Sequence, residues 1–157
     1  MGRLALSLIA LVACVPVLAA EPLPKVAVFP FRLIDSSLEG EVAGADAAEA
    51  ARLALMTDDL RARIAGSGRL EVVLPEEAPA ACPACEVAAA GRAGADYALT
   101  GWVQKVSDLI LNINLRVRNV RSGDVVFQDS VDIRGNTDRS WLRGLRYLVE
   151  RRLLAPA

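Results

Sequence analysis

The chain has 157 residues, with 18 lysines and arginines against 19 aspartates and glutamates, a formal net charge of −1, and no histidine. That length suits one domain, and that charge balance excludes a nucleic-acid partner, since no surplus of cations is available to neutralise phosphates. The missing imidazole removes the commonest general base and every histidine-based catalytic triad.

Met1-Gly2-Arg3 supplies one positive charge and Leu4 to Ala20 carries no other, with Pro16, Ala19 and Ala20 near the end. This order predicts an export signal peptide over residues 1–20, cleaved before Glu21, and a periplasmic location. A second reading takes Leu11-Val12-Ala13-Cys14 as a lipoprotein box, with the protein anchored in the outer membrane through a lipid on Cys14. Only that reading implies contact with a membrane. The domain spans residues 21–157, and loss of Arg3 leaves 17 basic against 19 acidic residues, a formal charge of −2. It keeps Cys82 and Cys85, which an oxidising compartment predicts to be disulfide-bonded.

Lys25 to Phe31 is apolar on both faces, as a central strand would be. Leu33 to Ala45 reads as a loop, after which Asp46 and Glu49 resemble a capping pair for a helix reaching about Ala65. Arg69 to Leu74 is a short strand, and Pro75, Pro79 and Pro83 hold the chain open until Glu86–Arg92 forms a short helix. The Cys82-Pro83-Ala84-Cys85 pair therefore lies at a helix start.

From Ala95 the apolar period changes to two. Tyr97, Leu99 and Val103 share one face, followed by Leu109, Leu111, Ile113, Leu115 and Val117, then Val125, Phe127, Val131 and Ile133. Turns are expected at Ser107-Asp108 and Ser122-Gly123-Asp124, with a bulge at Asp129. A last helix begins at Thr137 or Asp138 and turns Trp141, Leu142, Leu145, Leu148 and Val149 inward. The expected fold is a single α/β domain, β-α-β-α-β-β-β-α. Its five-stranded mixed sheet has order 2-1-3-4-5 and an antiparallel C-terminal meander.

Lys25-Val26-Ala27-Val28-Phe29 together with Gly94 to Gly101 resembles the TolB amino-terminal domain and the curli-secretion lipoprotein. Three further segments, Trp102 to Ser107, Leu109 to Asn114, and Asp132 to Asp138 with Ser140-Trp141, resemble a family of small exported bacterial proteins of unknown function, over most of residues 25–155. The resemblance implies a small α/β domain of the cell envelope and brings no catalytic residue with it.

No nucleophile elbow, phosphate loop, dinucleotide fingerprint or calcium loop is present, so no catalytic residue, cofactor or metal is assigned. Asn136, Thr137 and Asp138 have the residue types of an oxygen-ligand metal loop, but a turn and helix cap account for them. The function expected is a non-catalytic binding or accessory domain of the cell envelope. The alternative is a thiol-disulfide redox protein using Cys82 and Cys85.

Alternation places Asn112, Asn114, Arg116 and Arg118 opposite the apolar set, with Trp102 and Gln104 on the preceding strand and Gln128, Ser130 and Asp132 on the next. A tryptophan among amides and a guanidinium is a candidate binding face. Arg139, Arg143 and Arg146 form a stripe on the last helix that suits an anionic partner, though a solvated face has the same composition. The partner expected is another envelope protein or ligand, or a second copy of the chain in a homo-oligomer.

Overall fold

Val26, Ala27, Val28 and Phe29 are all buried, and a strand buried on both faces belongs in the middle of a sheet. A computed structural model describes residues 21–37, 40, 46–76 and 82–155. Its elements are β1 (Lys25–Val28), β2 (Arg32–Asp35), α1 (Ala47–Gly66), β3 (Glu71–Val73), α2 (Pro83–Arg92), β4 (Tyr97–Ser107), β5 (Ile110–Asn119), β6 (Val125–Ile133) and α3 (Asp138–Leu148), with a π-helical turn over Val149–Leu153. The expected signal segment 1–20, with Cys14, lies outside the described residues, as do residues 38–39 and 41–45 of the expected loop.

The sheet runs β3-β1-β4-β5-β6, with β2 also paired to β4. The expected strand order holds, and β4, β5 and β6 form the antiparallel meander. Six strands appear instead of five because the expected first strand is interrupted. The Phe29 N–H donates to the Leu99 carbonyl at 3.0 Å, but Pro30 has no N–H to continue the ladder. The Phe31 N–H turns to Thr57 Oγ1 at 2.9 Å, and the chain rejoins β4 in parallel at Arg32 opposite Trp102. Arg32 to Asp35, partly expected as loop, is therefore strand. Phe31 packs over Gly101, where a Cβ would lie 2.5 Å from the ring; only glycine leaves that space.

Two further expectations shift. The first hairpin turns at Asp108-Leu109, since Ser107 pairs with Ile110, and Leu109 is 71% exposed instead of opening the apolar series. The bulge falls between Val117 and Arg118, opposite Phe127 and Val125, which turns Val125 outward. Asp129 stays in register opposite Leu115, and its carboxylate is met by Arg152. An opposite charge supplied by the chain's end makes a bulge there unnecessary.

The helices form as their caps direct. Asp46 accepts from the Ala48 N–H at 2.9 Å, α2 begins at Pro83 and not at the expected Glu86 because proline is accepted in a helix's first turn, and Thr137 closes a capping box with Ser140. One sheet face packs on α1 and α3 through Val28, Leu99, Val103, Leu111, Ile113 and Leu115 against Met56, Leu60, Trp141 and Leu145. The opposite face carries α2, which meets Ala27, Phe29 and Ala98 through Ala89 and Ala90.

Candidate functional site

The apolar partners of α2 lie on β1, β3 and the start of β4. Beyond Ala98, α2 reaches this face only as far as Thr100, which is buried, and Arg32 beside Trp102, whose guanidinium donates to Glu86 of α2 at 3.0 Å. The register aligns Trp102, Asn114 and Ser130 in one row, Gln104, Asn112 and Asp132 in the next, and Thr100, Arg116 and Gln128 in a third. Every sequence-predicted residue of the binding face is thus brought together on one surface. Gln104, Gln128 and Ser130 are exposed, while Trp102, Asn112, Asn114 and Arg116 are half-buried.

Their half-burial has a local cause. The Arg116 guanidinium carbon lies 4.9 Å from the Trp102 ring centroid, and Arg116 Nε donates to Gln128 Oε1 at 3.0 Å. Asn114 Nδ2 donates to Asn112 Oδ1 at 2.6 Å, and Asn112 Nδ2 to Asp132 Oδ1 at 2.8 Å. Cross-strand polar pairs and a cation over an aromatic face hold these side chains in set positions, so little rotamer freedom is left to lose when a partner binds.

A second polar assembly escaped the sequence reading. Lys105 is 5% exposed and Glu49 2%, and Lys105 Nζ donates to Glu49 Oε1 at 2.7 Å. Asp108 lies 3.0 Å and Asp35 3.7 Å from the same ammonium. Asn136 Nδ2 donates to Glu49 at 2.7 Å and to Asp108 at 2.9 Å, and Arg52 bridges Asn136 and Asp138 while facing the Trp141 ring. These groups line a cavity of about 660 Å³ at one end of the sheet.

The signal for this assembly was present. Lys105 continues the inward series Leu99, Gly101, Val103, and Glu49 precedes Met56 and Leu60 on the buried side of α1. Neither was placed in the core from the sequence, where Glu49 stood as half of a capping pair. In the structure Asp46 caps alone and Glu49 answers Lys105. Burial by itself pushes the Lys105 ammonium down, but hydrogen bonds and charge from Glu49 and Asp108 outweigh it and hold the group well above the ordinary lysine value. A lysine so held is a cation fixed among carboxylates. Burial likewise works against ionised Asp35, yet hydrogen bonds to Ser37 and the charge of Lys105 lower it on balance.

Asn136, Thr137 and Asp138 serve as a turn and cap, with Asn136 drawn into the polar assembly. No group of three or more histidine, cysteine, aspartate or glutamate side chains suited to a metal occurs among the described residues. Cys82 and Cys85 are disulfide-bonded with Cα atoms 5.2 Å apart, and Cys82 is the cap of α2. Arg139, Arg143 and Arg146 are exposed on α3, on the opposite side of the sheet from Trp102.

Residues 24–153 match the model of the DUF3280 family, described as a protein of unknown function (DUF2380). No curated protein matches the sequence. Among solved structures, TolB from Acinetobacter baumannii is similar with a TM-score of 0.52 and 15% identity, over 85% of this chain and 29% of TolB. The PelC dodecamer from Paraburkholderia phytofirmans is similar with a TM-score of 0.51 and 12% identity, over 83% of this chain and 91% of that one. Lipoprotein GNA1162 from Neisseria meningitidis gives 0.47 and 16%, over 82% and 95%. TolB and PelC share the fold, although this chain spans less than a third of TolB. With that family match over most of its length, the chain belongs to the DUF3280 family, proteins of unknown function.

Proposed function

We propose that this protein is a non-catalytic binding domain of the cell envelope, exported to the periplasm, and that the outer face of the meander is its contact surface. The observation that carries the reading is the sheet face on which Trp102, held under Arg116, stands among an ordered row of amides. A rigid aromatic with fixed polar neighbours is the composition of an interface centre. The buried Lys105–Glu49 assembly supports the absence of catalysis, because its ammonium donates to carboxylates already in place.

A photo-crosslinking residue at Gln128 in intact cells should capture an envelope protein or a second copy of the chain. Trp102→Ala should weaken that contact by about 2 kcal/mol or more, the hot-spot scale. In a Trp141→Phe background Trp102 alone emits, and its fluorescence should be red-shifted and readily quenched. A blue-shifted, protected signal, or capture unaffected by Trp102→Ala, overturns the assignment.

Exposure of Cys85 at the start of α2 favours thiol-disulfide exchange as the second reading. The measurement that separates the two is the reduction potential. We expect a value below about −300 mV, as for structural disulfides; one near that of periplasmic oxidants would make the protein a redox carrier. The closed loop is short, so Cys82→Ser with Cys85→Ser should cost only about 1–2 kcal/mol in a chemical unfolding titration and leave the domain folded.

A further inference from the structure

We propose that α3 lies against an anionic phospholipid surface and holds the Trp102 face turned away from it. Arg139, Arg143 and Arg146 recur at four and three residues along one side of α3, and Arg134 and Arg151 flank them; all five are exposed. Several guanidinium groups elsewhere are neutralised within the fold, while Arg69, Arg116 and Arg118 donate to uncharged oxygens. Arg32 pairs with Glu86, Arg52 with Asp138, Arg63 with Asp59, and Arg152 with Asp129. Among the described residues none of the five has a carboxylate within ion-pair distance, and the two acids of the same segment, Asp138 and Glu150, are engaged by Arg52 and Arg63.

The helix itself does not call for this row. Cations are favoured at a helix C-terminus, but Arg139 stands in the first turn, at the positive end of the dipole. Five unneutralised cations in so short a stretch repel one another in a chain whose net charge is −1. An external anionic surface relieves that repulsion.

Two observations favour a lipid surface over an acidic protein. Tyr147 is 49% exposed and stands four residues from both Arg143 and Arg151, and tyrosine among cations suits the headgroup region, where its ring and hydroxyl meet different surroundings. Second, α1 and α3 pack on the sheet face opposite Trp102. A domain resting on α3 presents its meander to the periplasm. This last consequence extends the proposed function; the lipid contact does not depend on it.

The test uses the chain from Glu21 onward, which contains the whole described fold, with vesicles of phosphatidylcholine alone or mixed equally with phosphatidylglycerol. The protein should sediment with the mixed vesicles, less so as salt is raised, and not with phosphatidylcholine. Each arginine near such a surface contributes about fivefold in partitioning, so Arg139→Gln, Arg143→Gln and Arg146→Gln together should weaken binding by about 100-fold. The corresponding triple lysine variant should bind, and circular dichroism should show both variants folded. Trp102→Ala should leave vesicle binding unchanged, which separates failure of this proposal from failure of the sheet-face reading. Equal sedimentation with both vesicle types, or full binding by the triple glutamine variant, overturns the proposal. So does an acidic protein crosslinked through position 143 when anionic vesicles do not bind.

Discussion

Replacing Glu49 by alanine should lower the unfolding free energy by about 3 kcal/mol, the lower end of the cost of breaking a buried ion pair from one side. The change leaves Lys105, 5% exposed, without its 2.7 Å partner and removes one acceptor of the Asn136 amide. Asp108 at 3.0 Å and Asp35 at 3.7 Å remain beside the ammonium, which keeps the loss from reaching the upper end of the range. Glu49→Leu combined with Lys105→Met should cost less than the Glu49→Ala change alone, since both desolvation penalties vanish together.

The pH dependence follows with a definite sign. Lys105 is raised in the folded state, so its contribution is fully present below the unfolded lysine value of about 10.4 and is lost progressively as pH rises above it. Asp35 and Asp129 are lowered; Arg152 and the Ser130 N–H produce the shift at Asp129. Their contribution is present above the unfolded value of about 3.9 and is lost as pH falls below it. Urea midpoints across pH should therefore decline at both ends. In Lys105→Met the alkaline decline should be shallower, and an unchanged alkaline limb would show that the buried pair does not set it.

Trp141→Ala should destabilise the domain by about 3–5 kcal/mol. The ring is fully buried and belongs to the cluster joining α1, α3 and the meander. It also carries Arg52, whose guanidinium carbon lies 5.9 Å from the ring centroid, so its removal loosens the polar assembly as well. Trp141→Phe makes a sharp control. The indole N–H has no hydrogen-bond partner among the described residues, so phenylalanine gives up volume and no hydrogen bond, and should cost under about 1.5 kcal/mol. Chemical unfolding of the two variants side by side tests this; equal losses would mean that the indole nitrogen matters and the packing argument is wrong. A small loss in Trp141→Phe also validates that background for reading the emission of Trp102.

Much of the fold was legible because local rules and burial agree. Alternation over β4, β5 and β6 determined which side faces the core, Asp46 and Thr137 marked where α1 and α3 begin, and the apolar run from Val26 to Phe29 marked the central strand. The same alternation collected Trp102, Gln104, Asn112, Asn114, Arg116, Gln128 and Ser130 on one face, where the structure places them. What misled was local evidence standing for non-local partners. Pro30 looked like the interior of one strand ending at Phe31, with loop beyond, yet the ladder breaks there and Arg32 to Asp35 finds new partners on β4, some seventy residues away. Asp129 looked like a break in a strand until Arg152 supplied its counter-charge.

The sequence by itself determined the strand order, the inward face and the starts of α1 and α3, because periodicity, caps and crossover handedness are properties of neighbouring residues. Only the tertiary structure decided that Lys105 and Glu49 are buried together, that Trp102 lies under Arg116, and that the arginines of α3 have no ion-pair partner among the described residues. Whether a charge is buried, paired or free depends on partners brought in from distant segments, and the electrostatic energy of a side chain is fixed by those partners and not by its place in the chain.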